Sequence, residues 1–164
     1  MARRSTSAPA SAQPDSEASA ATPVPPAALP VTMTELAQGK VLHRAHPDRY
    51  RADQFNPGVQ GNARFSPIKN DQDQPIPTLY GGTTIDCALM ETVFHDVPHT
   101  AGFKSFDKGK LVGQVHSTVE VAQPLQVVDL ASVPLRKLGI TRKQLIDTEK
   151  DQYPATRRWA EAFH

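Results

Sequence analysis

Hydrophobic and polar positions change their spacing several times along the chain, and each spacing predicts an element. β-rich runs predict strands at 40–44, 78–80, 110–121 and 125–130, with the last two pairing across the Gln123-Pro124 turn. Apolar residues at helical spacing, with caps and breakers, predict helices at 33–39, 84–97, 133–138, 141–148 and 154–164. Strands and helices are mixed along the chain, so we expect an α/β (α+β) domain with a small mixed sheet and flanking helices.

The helix predicted over 84–97 carries apolar residues around most of its circumference, which is typical of a buried helix. Thr83 and Asp86 have the spacing of a capping box and mark its start. Thr84, Glu91 and His95 nevertheless share one narrow polar stripe. The stripe is either the solvent side of the helix or the wall of a cleft, where a partly desolvated carboxylate is chemically useful.

Residues 1–30 differ in composition from the rest of the chain. Ala, Pro and Ser fill 20 of these 30 positions. Such a segment cannot bury enough apolar surface to offset the entropy lost on ordering. We therefore predict a disordered tail over 1–30 and a single domain over 31–164, which is long enough for one hydrophobic core.

Charge and cysteine content exclude several classes of protein. A net charge of +1 provides no global field to attract nucleic acid or a membrane surface. The single cysteine, Cys87, excludes a disulfide framework within the chain and a Cys-rich zinc site, and no metal-binding motif occurs. No stretch approaches 18 apolar residues, and no apolar signal-peptide core is present. We expect a cytoplasmic protein with no metal, no membrane contact and no direct contact to nucleic acid.

Four short motifs occur in a characteristic order between Val41 and His164. They are Leu42-His43-Arg44, Asn62-Ala63-Arg64-Phe65-Ser66-Pro67, Thr78-Leu79-Tyr80-Gly81-Gly82 with Ala88-Leu89-Met90-Glu91, and Trp159-Ala160-Glu161-Ala162-Phe163-His164. The most specific of these is the spacing of 11 residues from Tyr80 to Glu91 across a strand–helix turn. In this order the motifs resemble the RES domain family, named for Arg, Glu and Ser, whose members are toxins of bacterial toxin–antitoxin pairs.

The resemblance implies a fold similar to that of ADP-ribosyltransferases and an activity on NAD. The implied reaction cleaves the bond between nicotinamide and ribose by hydrolysis, by phosphorolysis or by ADP-ribosyl transfer, and the sequence leaves the acceptor open. The implied partner is an antitoxin protein that covers the cleft, and a homo-oligomer stays open. The implied catalytic residues are Glu91, Arg64 and Tyr80, and those implied to bind NAD are Arg44, Arg64, Tyr80 and Gly81.

Each implied role suits the chemistry of its residue. The transition state resembles an oxocarbenium ion, so a carboxylate such as Glu91 that holds the ribose hydroxyls binds more strongly as positive charge develops. The planar fork of Arg64 suits the pyrophosphate, and the aromatic face of Tyr80 suits the cationic nicotinamide. Arg44 is a candidate second phosphate ligand, and Gly81 belongs to a turn that resembles an anion-binding turn. The structural alternatives are an exposed Glu, surface arginines, a core Tyr and an ordinary tight turn.

The chain departs from the family pattern in one respect. The signature Ser of the family follows the Trp159–His164 motif, and the sequence ends at His164. We therefore expect a domain truncated at its C-terminus, with low activity. An alternative is a catalytically inactive remnant that acts only as a binding module. A third interpretation, an unrelated β-rich binding domain, would leave Glu91 exposed and Arg64 far from Tyr80.

Overall fold

The structure is a computed structural model that describes residues 21–94, 97 and 105–164. This part of the chain has six short strands and four helices, together with two 3-10 turns, Lys108–Leu111 and Lys150–Gln152. Four strands come first, followed by one helix, two strands and three helices. The strands are β1 (Met33–Leu36), β2 (Val41–Pro47), β3 (Ile68–Lys69), β4 (Pro75–Ile76), β5 (Gln114–Glu120) and β6 (Leu125–Val128). The helices are α1 (Ile85–Thr92), α2 (Ser132–Lys137), α3 (Arg142–Leu145) and α4 (Tyr153–Phe163). This mixture confirms the predicted α+β class.

Strands β1, β2, β5 and β6 form two antiparallel two-stranded sheets, β1–β6 and β2–β5, that follow one another along the chain as one long ribbon. β1 pairs with β6 from Met33↔Val128 to Leu36↔Leu125. β2 pairs with β5 from Val41↔Glu120 to Pro47↔Gln114, in the same register. Between the two ladders, the Val121 N–H donates to the Lys40 carbonyl at 3.0 Å, which carries the pairing across the gap. The long ribbon is the frame on which α1 and the intervening loops are placed.

Two predictions about this ribbon are wrong. Residues 33–36 form a strand and not a helix, because cross-strand hydrogen bonds to β6 outweigh a weak capping signal in so short a segment. The strands β5 and β6 do not pair with each other across Gln123-Pro124. The chain continues in the same direction there, and each strand pairs with the N-terminal segment 33–47 instead.

Helix α1 begins as a capped helix but lies at the surface. Its N-cap is Thr84, one residue after the predicted Thr83, and the Thr84 hydroxyl accepts the Cys87 N–H at 3.1 Å. Within α1 the buried residue is Ala88, whereas Ile85 and Met90 are 41% and 45% exposed. The prediction of a buried helix is therefore wrong, and so is its end near Val97, since α1 ends at Thr92. The apolar arc is wide, but only its Ala88 side is covered.

The main hydrophobic cluster lies among the C-terminal helices. It comprises Leu135, Leu138, Ile140, Leu145 and Trp159, with Leu29, Phe65, Leu130, Ile146 and Phe163 packed against it. Local signals predicted these helices well: Gly139 follows α2 with a φ of 70°, and the capping box of Thr141 and Gln144 starts α3. Phe65 comes from a distant loop, so this cluster also fixes that loop.

Residues 21–30, which composition assigned to the tail, lie against the domain. The Thr22 N–H donates to Gln152 Oε1 at 3.2 Å, and its hydroxyl donates to the Gln144 carbonyl at 2.6 Å. The Trp159 indole N–H donates to the Pro23 carbonyl at 2.7 Å. These bonds satisfy buried donors and acceptors and hold Thr22 and Pro23 against the C-terminal helices. The disorder predicted for 1–20 falls outside the described residues and stays a prediction.

Two general features concern the part of the chain that the structure describes. None of its helices is long and apolar enough to cross a bilayer. The thiol of Cys87, which the sequence predicts to be a small buried hydrophobe, is free and exposed on α1. The exposure of Cys87 follows from the surface position of α1.

Deleting residues 1–20 and deleting residues 1–30 are expected to give different results. The shorter deletion removes residues 1–20, for which disorder stays a prediction, and should leave the thermal midpoint unchanged. The longer deletion leaves the Trp159 indole N–H without its acceptor, and a buried unpaired donor costs about 1–3 kcal/mol. We expect the midpoint to fall by about 3–8 °C in calorimetry. Equal midpoints for both deletions would contradict the structural role of residues 21–30.

Candidate functional site

Arg64 occupies a tight turn whose position is set by its neighbour Phe65. The Ala63 N–H donates to the Ser66 carbonyl at 3.0 Å and closes the turn around Arg64 and Phe65. The Phe65 side chain packs against the Trp159 cluster. Because Phe65 packs against the core, the backbone of the adjacent Arg64 is held in place. The Arg64 side chain is only 23% exposed. Packing of Phe65 against the core thus fixes the position of Arg64, the candidate site residue next to it.

Glu91 reaches Arg64 from the last turn of α1. Arg64 Nη1 lies 3.8 Å from Glu91 Oε2. This distance is too long for a direct hydrogen bond, and the Glu91 side chain is 61% exposed. An ion pair of this kind contributes little to the stability of the fold. Because the two groups share no hydrogen bond, both remain available to the polar groups of a ligand. Among the described residues, Glu91 is largely exposed to solvent, and its position in a cleft stays a prediction.

Tyr80 is joined to the same turn through Ser66. The Tyr80 hydroxyl lies 3.1 Å from the Ser66 hydroxyl, which is buried, while 41% of Tyr80 is exposed. The bond fixes one end of the ring and leaves part of it accessible. The structure therefore brings Arg64 within ion-pair distance of Glu91, and the hydrogen bond of Ser66 joins the Arg64 turn to Tyr80. The sequence alone does not single out Ser66 within its motif, because its partner lies 14 residues away.

Gly81 and Gly82 have different environments. The Gly82 backbone exchanges two hydrogen bonds with His43 of β2, both 2.8 Å long. A Cβ on Gly82 would lie 2.7 Å from the Ala88 nitrogen, so Gly82 lets α1 approach the ribbon. A Cβ on exposed Gly81 would lie 3.4 Å from the His43 carbonyl oxygen. Close packing accounts for Gly82, and contact of Gly81 with NAD stays a prediction.

Arg44 binds a neighbouring loop. Its Nη1 donates to the carbonyl of Arg51 at 3.2 Å and to that of Ala52 at 2.5 Å. Partial burial lowers the pKa of the Arg44 guanidinium below its usual value, and the nearby Asp53 opposes this shift. These contacts point to the loop and not to the Arg64–Glu91 pair. Arg44 therefore has a structural role here, and its predicted phosphate contact stays a prediction.

His95, predicted on the same helical stripe as Glu91, lies outside the described residues. Within the described ranges, no three His, Cys, Asp or Glu side chains are grouped so that they could hold a metal ion.

The family model of the RES domain matches residues 41–164 of the chain. No curated protein and no solved structure matches the chain. The matched range includes β2, the Arg64 turn, Tyr80, α1 and α4. All five residues proposed from the sequence for catalysis or NAD binding thus lie inside the match.

Replacing the two glycines one at a time tests their different roles. Gly82→Ala should destabilise the fold by about 1–3 kcal/mol, because its Cβ would overlap the backbone of α1. Gly81→Ala should have a smaller effect, since its nearest neighbours are at 3.4 Å. Urea unfolding of both variants measures the difference. Equal destabilisation would show that the approach of α1 does not depend on Gly82.

Arg44→Gln should loosen the loop around Arg51 and Ala52, because it removes the donor that reaches both carbonyls. We expect faster proteolytic cleavage between residues 49 and 54 than in the wild-type protein. Arg142→Gln, which changes an exposed arginine paired with Asp147, is the matched control. Unchanged cleavage of the Arg44 variant would argue against the structural role.

Proposed function

The chain belongs to the RES domain family, and from this premise we propose that it is an NAD-cleaving toxin whose substrate is held by Arg64, Tyr80 and Glu91. The observation that carries the proposal is the 3.8 Å approach of Arg64 Nη1 to Glu91 Oε2. The two residues lie 27 positions apart and come from different elements, a loop turn and a helix. One cation and one carboxylate side by side offer complementary contacts to a molecule with neighbouring anionic and hydroxyl groups.

In the proposed reaction the bond between the ribose C1′ and the nicotinamide nitrogen breaks. Nicotinamide leaves with the bonding electron pair, and positive charge develops on the ribose ring. Glu91 accepts hydrogen bonds from the ribose hydroxyls, and these bonds strengthen as the charge grows. This contact stabilises the transition state more than the ground state, which is what accelerates a reaction.

Arg64 binds the pyrophosphate in this proposal. A guanidinium presents several N–H donors in one plane and pairs with phosphate oxygens through two parallel hydrogen bonds. Its long contact to Glu91 leaves donors free for such a ligand. The pyrophosphate adjoins the ribose in NAD, so neighbouring Arg64 and Glu91 can contact neighbouring groups of one molecule.

Tyr80 is proposed to stack on the nicotinamide ring. Its hydroxyl is tied to Ser66 and its ring is partly exposed, so a flat face is available in a fixed orientation. In NAD the nicotinamide ring is cationic, and a cation over an aromatic face is stabilised by the ring quadrupole.

The proposed partner is an antitoxin protein that covers this surface. Ile85 and Met90 are exposed on α1, the helix that carries Glu91. An apolar segment laid over them would bury area and close access to the carboxylate. Water, phosphate and a protein side chain all remain candidate acceptors of the ADP-ribosyl group.

The second candidate function is a binding module without turnover. It is favoured by the exposure of Glu91, because a solvated carboxylate lacks the low-dielectric surroundings that strengthen electrostatic catalysis.

Loss of NAD over time, followed with purified protein by chromatography, tests the proposal. Glu91→Gln keeps the size of the side chain but removes its charge, and we expect a rate about 10²–10³-fold lower than that of the unchanged chain. Arg64→Gln should raise KM more than it lowers kcat, because it removes a contact to a part of NAD that does not react. Glu35→Gln, on exposed β1, is the matched control and should behave like the unchanged chain.

An unchanged rate for Glu91→Gln would overturn the catalytic role of Glu91. NAD binding without turnover in the unchanged chain, abolished by Arg64→Gln and Glu91→Gln, would favour the binding module. Absence of both binding and turnover would overturn both candidate functions.

A further inference from the structure

Helix α4 holds the backbone of Arg64. The hydroxyl of Thr156 donates a short hydrogen bond to the Arg64 carbonyl and lies 3.1 Å from the Tyr153 carbonyl. Thr156 is fully buried, so water does not compete for these contacts. The Arg64 turn is therefore attached to α4 through its main chain, in addition to the packing of Phe65 against the core.

The same helix also holds the side chain of Arg64. Arg64 Cζ lies 5.5 Å from the centre of the buried Tyr153 ring. A guanidinium at this distance is attracted by the aromatic face, and the contact is stronger where water is excluded. Tyr153 and Thr156 lie one helical turn apart on α4, so one face of this helix supports both ends of Arg64.

This support determines which nitrogens of Arg64 can meet a ligand. Arg64 Nε is buried and has no hydrogen-bond partner among the described residues. Arg64 Nη1 reaches toward Glu91, whose side chain is exposed. The Nε edge of the guanidinium thus faces the protein, and the Nη end points toward the surface that carries Glu91.

We propose that Tyr153 and Thr156 are positioning residues, which clamp Arg64 so that it presents its Nη end to an anionic ligand. The clamp itself follows from the contacts of α4. The identity of the anion, the pyrophosphate of NAD, rests on the proposed function. A clamped guanidinium loses less conformational freedom on binding than a free one, so the clamp increases the affinity for the anion.

The alternative is that Tyr153 and Thr156 are core residues that stabilise the fold and nothing else. Trp159 provides the comparison, because it is buried on the same helix and contacts Pro23 and Phe163. Trp159→Phe removes core volume from α4 without removing a group that touches Arg64. A merely structural role predicts similar consequences for Tyr153→Leu and Trp159→Phe.

The first measurement is ¹⁵N relaxation of the Arg64 Nε–Hε group, which needs no ligand. We expect a rigid guanidinium in the unchanged chain, in Tyr153→Phe and in Trp159→Phe, because all three keep an aromatic ring under it. In Tyr153→Leu the guanidinium should become mobile on the ps–ns timescale, while the backbone amides of α4 stay rigid. Thr156→Val should shift the resonances of the 63–66 turn, and Thr156→Ser, which keeps the hydroxyl, should restore them.

The second measurement is calorimetric titration with ADP, which carries the pyrophosphate but no nicotinamide. We expect Tyr153→Leu to bind ADP about 3- to 30-fold more weakly than Tyr153→Phe, the range expected for loss of one cation–π contact. Trp159→Phe should bind like the unchanged chain even if its thermal midpoint falls. Thr156→Val should bind more weakly than Thr156→Ser.

The outcomes separate this inference from the proposed function. A guanidinium that stays rigid in Tyr153→Leu overturns the clamp, whatever the protein binds. A mobile guanidinium with unchanged ADP affinity overturns the role of the clamp in ligand binding. A mobile guanidinium in a protein that never binds ADP supports the clamp and overturns pyrophosphate binding by Arg64.

Discussion

The attachment of the Arg64–Phe65 turn to the C-terminal helices is the contact on which the candidate site depends. Phe65 packs against the cluster around Trp159, and the Thr156 hydroxyl holds the Arg64 carbonyl. An arginine on an unsupported loop would lose much side-chain entropy on meeting a ligand, about 2 kcal/mol for a fully flexible one. In this protein part of the side-chain entropy of Arg64 is already lost on folding. Burial of the neighbouring Phe65 fixes the turn, and Tyr153 lies against the guanidinium. Stability of the core and availability of the guanidinium are therefore linked through two adjacent residues.

The other half of the site depends on the ribbon. Gly82 pairs with His43 of β2 and leaves room for the backbone of α1, so the helix starts close to the ribbon edge. Glu91 follows in the last turn of that helix and meets Arg64. The two charged groups thus arrive from two separate packing units, the helical cluster and the ribbon with α1. An arrangement of this kind responds to changes in either unit, since a shift of α1 alone alters the distance between the guanidinium and the carboxylate.

The two residues of the Arg64–Glu91 pair differ in their exposure to solvent. Arg64 is mostly covered and supported by Tyr153, whereas Glu91 is largely solvated. Water weakens the contribution of an exposed carboxylate, so a bound ligand would strengthen the electrostatic effect of Glu91 by excluding water. Ile85 and Met90, which are exposed on the same helix, supply apolar area for the proposed antitoxin. The proposed substrate and the proposed antitoxin would thus compete for the same surface.

The sequence by itself determined the features that depend on neighbouring residues. The mixed class, the family, the capping box at Thr141 and the helix stop at Gly139 could all be inferred, because caps, turns and motif spacing are local. Tertiary structure decided the rest: the strand at 33–36, the surface position of α1, the loop contacts of Arg44 and the docking of residues 21–30. It also decided the support of Arg64 by Tyr153, 89 residues later. Such features depend on which distant segment supplies a hydrogen bond or covers an apolar face, and local propensities of a few tenths of a kcal/mol cannot specify that choice.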